Sequence, residues 1–146
     1  MKISDCLSID RIIDLECDRK AEVMECLIDV TSTASVVHDK EDFRQAILRR
    51  EEILSTGIGL GLAVPHAKIG TVSSLVMSLG RHLKGIDFDS LDGNPVNFVV
   101  MIGANKDDQQ GYLNILAEIS GFFKDVTFRD RIMRARGPEE IMALFS

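Results

Sequence analysis

Apolar positions early in the chain recur with the spacing of helices. Between Asp18 and Thr31, the residues Ala21, Met24, Leu27, Ile28 and Thr31 fall on one face, and Asp18 is placed to cap the first turn. A second helix opens at Asp39, another capping residue, and carries Phe43, Ala46, Ile47 and Leu54 on its inner stripe. Ahead of both, Ile12-Ile13-Asp14-Leu15 reads as a short strand. The period then changes. Gly57, Gly59 and Gly61 alternate with Ile58, Leu60 and Leu62, which in one strand puts glycines on one face and aliphatics on the other. A bare face of that kind lets a ligand or a partner's backbone approach closely. Pro65 biases Val64 toward an extended conformation and removes a backbone donor, so the strand ends there with His66 at its lip.

Ser74 to Leu79 is rich in strand formers, Gly85 to Pro95 is a turn-rich loop with Asp92-Gly93-Asn94-Pro95 at its tip, and Val96 to Ile102 is apolar enough for a central strand. Asp107 or Asp108 caps a long helix with Tyr112, Leu116, Ile119 and Phe123 on one stripe. Two further helices, Val126 to Ala135 and Pro138 to Phe145, are separated at Gly137-Pro138. Helices and strands mixed in this order predict an α/β or α+β fold in a single domain over residues 1–146.

Bulk numbers narrow the function classes. A chain of 146 residues with 45% hydrophobic content buries a real core. A net charge of −6, with no basic cluster longer than Arg49-Arg50, argues against a nucleic-acid surface. The first residues, Met1-Lys2-Ile3-Ser4-Asp5, lack the apolar core of a secretory signal, and no apolar run is long enough to cross a bilayer. Cys6, Cys17 and Cys26 have neither metal-type spacing nor an even count, and their apolar neighbours predict buried, inert thiols. A soluble protein of the reducing cytoplasm, without direct membrane insertion, is the expectation.

The candidate chemistry gathers at His66. An imidazole titrates near neutrality, so a neutral fraction is always able to attack phosphorus, provided one ring nitrogen is free and the other is held as N–H. Arg50 falls seven residues after Phe43 and four after Ala46, which places a guanidinium on a core-facing stripe, whereas Arg49 points elsewhere as a solvated charge. Such a charge needs a partner, either a structural carboxylate or a phosphoryl group near His66. Ser55, Thr56 and the amides of Gly57, Gly59 and Gly61 are candidate donors to phosphate oxygens. G-x-G-x-G without a following helix start is not a dinucleotide fingerprint, and no P-loop occurs. His38 reads as a polar loop residue and His82 as a strand-end residue. With no carboxylate pair at ligand spacing, no metal site is expected.

The run S-T-G-I-G-L-G-L-A-V-P-H-A-K from Ser55 to Lys68, preceded by R-R-E-E at Arg49 to Glu52, resembles the enzyme IIA components of the bacterial phosphoenolpyruvate-dependent sugar phosphotransferase system, of the fructose/mannitol/nitrogen-regulatory type. Similarity continues through Gly85 to Val96, the apolar run to Ile102, Leu113 to Ser120 and Pro138 to Ile141. The resemblance implies a mixed central sheet covered by helices on both sides. It implies that His66 accepts a phosphoryl group on Nε2 from a histidine-containing phosphocarrier protein and passes it to the IIB domain of a sugar permease. Arg50 would neutralise developing charge while Thr56 and the Gly57–Gly61 backbone position the oxygens, with no cofactor. Leu60 and Leu62 are candidate contributors to a docking surface if their shared face is exposed. The alternative is a nitrogen-type module whose phosphorylation state controls binding to kinases, transporters or other regulatory target proteins. Many members carry a second histidine that helps orient the active imidazole. This chain has Tyr112 there, which either packs with Leu116 and Ile119 or offers its hydroxyl to phosphate.

Overall fold

The computed structural model describes residues 2–146. A short helix α1 (Ile3–Cys6) and one 3₁₀ turn lead into strand β1 (Ile12–Asp14). Helices α2 (Lys20–Thr31) and α3 (Lys40–Ile53) follow, then β2 (Gly57–Gly59), β3 (Leu62–Ala63), β4 (His66–Lys68), β5 (Val76–Ile86) and β6 (Val96–Ala104). Helices α4 (Gln109–Lys124), α5 (Val126–Arg134) and α6 (Pro138–Leu144) complete the chain. The strands form one mixed sheet in the order β1-β5-β6-β3-β2, with β4 also paired to β6. β5 and β6 are antiparallel, while β1 joins β5 and both β3 and β4 join β6 in parallel.

Alternation along β5 and β6 builds two cores. Met77, Leu79, Phe98, Val100 and Ile102 meet α4, α5 and α6 on one face. Val76, Val99 and Met101 meet Leu27, Ile28, Phe43 and Ile47 of α2 and α3 on the other. The expected two-sided sheet is therefore present, and β6 is its buried centre. Phe43 packs so closely on the sheet that a Cβ at Gly103 would lie 3.1 Å from its ring. Arg81, 4% exposed in β5, is satisfied by Asp14 at 2.7 Å, by the carbonyl of Ile132 in α5 at 2.9 Å and by that of Ala135 just past its end at 2.6 Å. It thus caps the C-terminal carbonyls of α5, groups that lack intrahelical partners.

Both Asp39 and Asp108 cap as expected, accepting from Asp42 N and Gly111 N. Asp18 does not. The helix starts one residue later with Arg19 at the cap, because the Asp18 carboxylate accepts from His82 Nε2 at 3.0 Å. Ala21 is exposed and Val23 takes the inner position. Leu54 lies just past α3 and is 53% exposed, so it leaves the stripe. The strand expected at Ser74 to Leu79 begins at Val76 and runs on to Ile86, which puts His82 in mid-strand, buried, rather than at an end. Cys6 is buried and its thiol is pushed up to about 11 by that burial, but Cys17 and Cys26 are only half-buried.

Candidate active site

The glycine-rich segment is a hairpin and not one strand. Gly59, Leu60 and Gly61 have φ values of 96°, 60° and 69°, which fold β2 back onto β3 in an antiparallel pair. Two glycines flanking one strained leucine supply that left-handed run. Gly57 serves differently. A Cβ there would sit 2.2 Å from Ser90 Oγ, so its absence lets the loop 87–95 close over the hairpin. The turn also separates the aliphatics: Ile58 and Leu60 are about half exposed, whereas Leu62 is fully buried. Only Leu60 of the expected pair belongs to the surface.

From Leu62 onward the alternation holds. Leu62 pairs with Phe98, Ala63 with Val99, His66 with Ile102 and Lys68 with Ala104, one constant register across the interruption at Pro65. Leu62, Val64, His66 and Lys68 therefore share the face toward α4, while Ala63 and Ala67 face α3. His66 Nδ1 lies 3.0 Å from Val64 O on that same face. A carbonyl only accepts, so Nδ1 carries the proton and Nε2 holds the free lone pair. Burial lowers the His66 pKa below the ordinary imidazole value; Arg50 and Lys68 push the same way, against the Val64 bond and Glu51. A neutral, single-tautomer imidazole is what a nucleophile requires.

A cavity of about 410 Å³ opens on this ring, lined by Arg50, Thr56, Ile58, His66, Tyr112 and Leu116 among others. Two larger hollows, of about 540 and 530 Å³, lie along α5 and contain no histidine, so size does not pick the site. Arg50 donates from Nη1 to Leu54 O at 2.8 Å, and among the described residues it forms no carboxylate ion pair. Its other N–H groups have no partner among the described residues and are available to an oxyanion. Tyr112 sits against the imidazole with ring centroids 5.1 Å apart, so its helix stripe and its place in the site coincide. Lys68 Nζ lies 4.7 Å from the centre of the Tyr112 ring and donates to Gln109 Oε1 at 2.6 Å.

Sequence reasoning missed Glu51. Its carboxylate, 7% exposed, pairs with Lys20 at 2.8 Å and accepts from Thr56 N at 2.9 Å and Thr56 Oγ1 at 2.6 Å. The only hint was its place in R-R-E-E, since its partner Lys20 lies on another helix. Ser55 Oγ likewise donates to Phe88 O at 2.6 Å and accepts from Gly57 N at 3.1 Å. Both hydroxyls expected to meet phosphate are thus committed within the protein. Gly57, Gly59 and Gly61 do not line the cavity; Ser55, Thr56 and Ile58 represent that segment there. His38 bonds Ser73 at 3.0 Å and His82 bonds Asp18, so neither approaches the site. Among the described residues no cluster of three His, Cys, Asp or Glu side chains is placed to hold a metal, and no helix is long and apolar enough to cross a membrane.

Residues 7–146 match the family model "Phosphoenolpyruvate-dependent sugar phosphotransferase system, EIIA 2". The fructose-specific EIIABC component of Bacillus subtilis is 32% identical over 147 residues, an alignment that covers all of this chain but 23% of the Bacillus protein. The crystal structure of the nitrogen regulatory protein IIA-Ntr from Neisseria meningitidis superposes with a TM-score of 0.90 at 25% identity, covering 99% of each chain. Mannitol enzyme IIA of Escherichia coli, determined in complex with its phosphorylated enzyme IIB, shares the fold at a TM-score of 0.81 and 17% identity over 94% of this chain and 95% of that one.

Proposed function

The chain belongs to the phosphoenolpyruvate-dependent sugar phosphotransferase system EIIA 2 family, and we propose that His66 is its phosphoryl carrier. In this reading a histidine-containing phosphocarrier protein delivers the group to Nε2 in the cytoplasm, and a IIB domain of a sugar permease collects it. One observation carries the proposal: Nδ1 is tied to Val64 O while Nε2 has no partner among the described residues, on a cavity that Arg50 also lines.

The transfer balances without a base. The donor enters as a phosphoimidazolium; its N–P bond breaks as a bond forms between phosphorus and the lone pair of His66 Nε2. The donor leaves as a neutral imidazole that keeps its own N–H, and His66 becomes the phosphoimidazolium, its proton still on Nδ1 and donated to Val64 O. That carbonyl bond strengthens as the ring gains positive charge. Arg50 meets the charge spread over the equatorial oxygens, where catalysis is largely positioning and electrostatics. Thr56 acts through the backbone position that Glu51 gives it, and the Gly57, Gly59 and Gly61 hairpin sets that segment against the cavity. The test is intact mass after incubation with phosphoenolpyruvate and the two general phosphotransferase proteins. One acid-labile phosphoryl group, absent from His66→Ala, is expected; an unmodified wild type beside a working control carrier would overturn the reading.

A second reading rests on the TM-score of 0.90 to a nitrogen regulatory protein. There the charge added at His66 alters binding to a target protein, since the exposed Leu54, Ile58 and Leu91 surround it. Rapid, saturable loss of the phosphoryl group to a IIB domain excludes a purely regulatory role.

A further inference from the structure

A phosphoryl group on His66 carries three oxygens into a cavity whose donors can be counted. Thr56 spends its N–H and its hydroxyl proton on Glu51, and Ser55 spends its hydroxyl proton on Phe88 O. Ser120, the remaining hydroxyl residue of the lining, stands eight residues beyond Tyr112 on α4, roughly 12 Å along the axis. Among the side chains of the lining that leaves the N–H groups of Arg50 not held by Leu54 O and the phenol of Tyr112, whose accessible hydroxyl has no hydrogen-bond partner among the described residues. The ring is buried while its hydroxyl oxygen stays accessible, so the O–H is free to meet an arriving phosphoryl oxygen.

We propose that the Tyr112 O–H donates a hydrogen bond to a phosphoryl oxygen on His66 and is, with Arg50, a phosphoryl-binding residue of this carrier. The ring is fixed for the task from more than one side. It lies against the imidazole at 5.1 Å, and Lys68, itself anchored on Gln109, is centred 4.7 Å from it. A cation over the ring draws electron density from the phenol and makes its O–H a better donor. Burial raises the Tyr112 pKa while Arg50 opposes it, so the hydroxyl keeps its proton through the neutral range. A neutral donor binds the phosphoryl dianion without adding a second titrating charge beside His66.

The inference rests on the carrier reading, and the experiment separates the two. Phosphoryl transfer from the phosphorylated carrier protein is followed by rapid quench for wild type and Tyr112→Phe, with thermal midpoints measured in parallel. The phenylalanine keeps the ring contact. Its rate is expected to fall about tenfold or more, the size of one hydrogen bond to a charged group, with the phosphohistidine phosphorus resonance displaced. A wild type that takes no phosphoryl group overturns the carrier reading; a wild type that does, with Tyr112→Phe equally fast, overturns only the role of the hydroxyl. Because the chain has a single tyrosine, uniform replacement by difluorotyrosine acidifies this phenol alone. Transfer is then expected to decline as pH rises through the ionisation seen by fluorine resonance. A rate indifferent to that ionisation would also overturn the proposal, even if the phenylalanine variant failed to fold.

Discussion

Replacing Glu51 with glutamine removes a charge and one acceptor while leaving the shape unchanged. In the native protein the carboxylate accepts from Thr56 N at 2.9 Å and Thr56 Oγ1 at 2.6 Å, and pairs with Lys20 at 2.8 Å. Glutamine satisfies one Thr56 donor through its carbonyl and turns an amide N–H₂ against the other. Thr56 is 3% exposed, so the second donor finds no water. An unsatisfied buried donor costs about 1–3 kcal/mol, and loss of a charge-assisted bond is of similar size. Lys20, 21% exposed, adds little because it regains solvent. The sum is about 2–4 kcal/mol, or a midpoint lowered by roughly 5–15 °C for a chain of this size. Calorimetry of Glu51→Gln, Thr56→Val and the double variant measures it. Thr56→Val removes the hydroxyl that glutamine strands, so the pair should couple by about 1 kcal/mol or more. Independent, additive losses, or a Glu51→Gln midpoint within about 2 °C of wild type, would refute the clamp.

Three further outcomes follow from the same geometry. Arg81→Met should cost about 2–4 kcal/mol in urea unfolding, because the carbonyls of Ile132 and Ala135 lose their donor and Asp14 its partner; a cost under about 0.5 kcal/mol would contradict it. The His66 ring should titrate below about 6.5 in NMR, and Arg50→Gln should raise the midpoint by removing a neighbouring cation. Since the folded pKa is the lower one, the unfolded chain takes the proton first; this contribution to stability is present above about pH 6.5 and is lost as pH falls through the folded value. Gly61→Ala, at φ 69° with Asn97 Oδ1 3.3 Å from the new Cβ, should destabilise by about 1–2 kcal/mol and slow phosphoryl acceptance in the rapid-quench assay.

What could be read from residues alone was local. Asp39 and Asp108 announce helix starts because a cap needs only its own next turn, and Val96 to Ile102 announces a buried strand because both its faces are apolar. His66 stands out as the candidate because of the proline and glycines before it. The hairpin was not, since alternating glycine and aliphatic residues satisfy a strand's period equally well; the decisive fact is the sign of φ at Leu60. Asp18 failed as a cap because a histidine 64 positions away competes for it. Glu51 escaped notice for the same reason: its importance lies in Lys20, across a helix pair. The Tyr112 stripe was visible, but its meeting with His66 depends on the register of β4 against β6.

That register has a consequence for how the molecule divides labour. Residues 62–68 hold one alignment along β6 through the break at Pro65, so His66 is tied to the buried central strand, the kind of element whose opening costs most. The exposed rim of the cavity, Leu54, Ile58 and Leu91, lies instead just past α3, on the short edge strand β2 and in the loop before β6. Substitutions at that rim should therefore change the surface around the cavity while Nε2 stays where the sheet puts it.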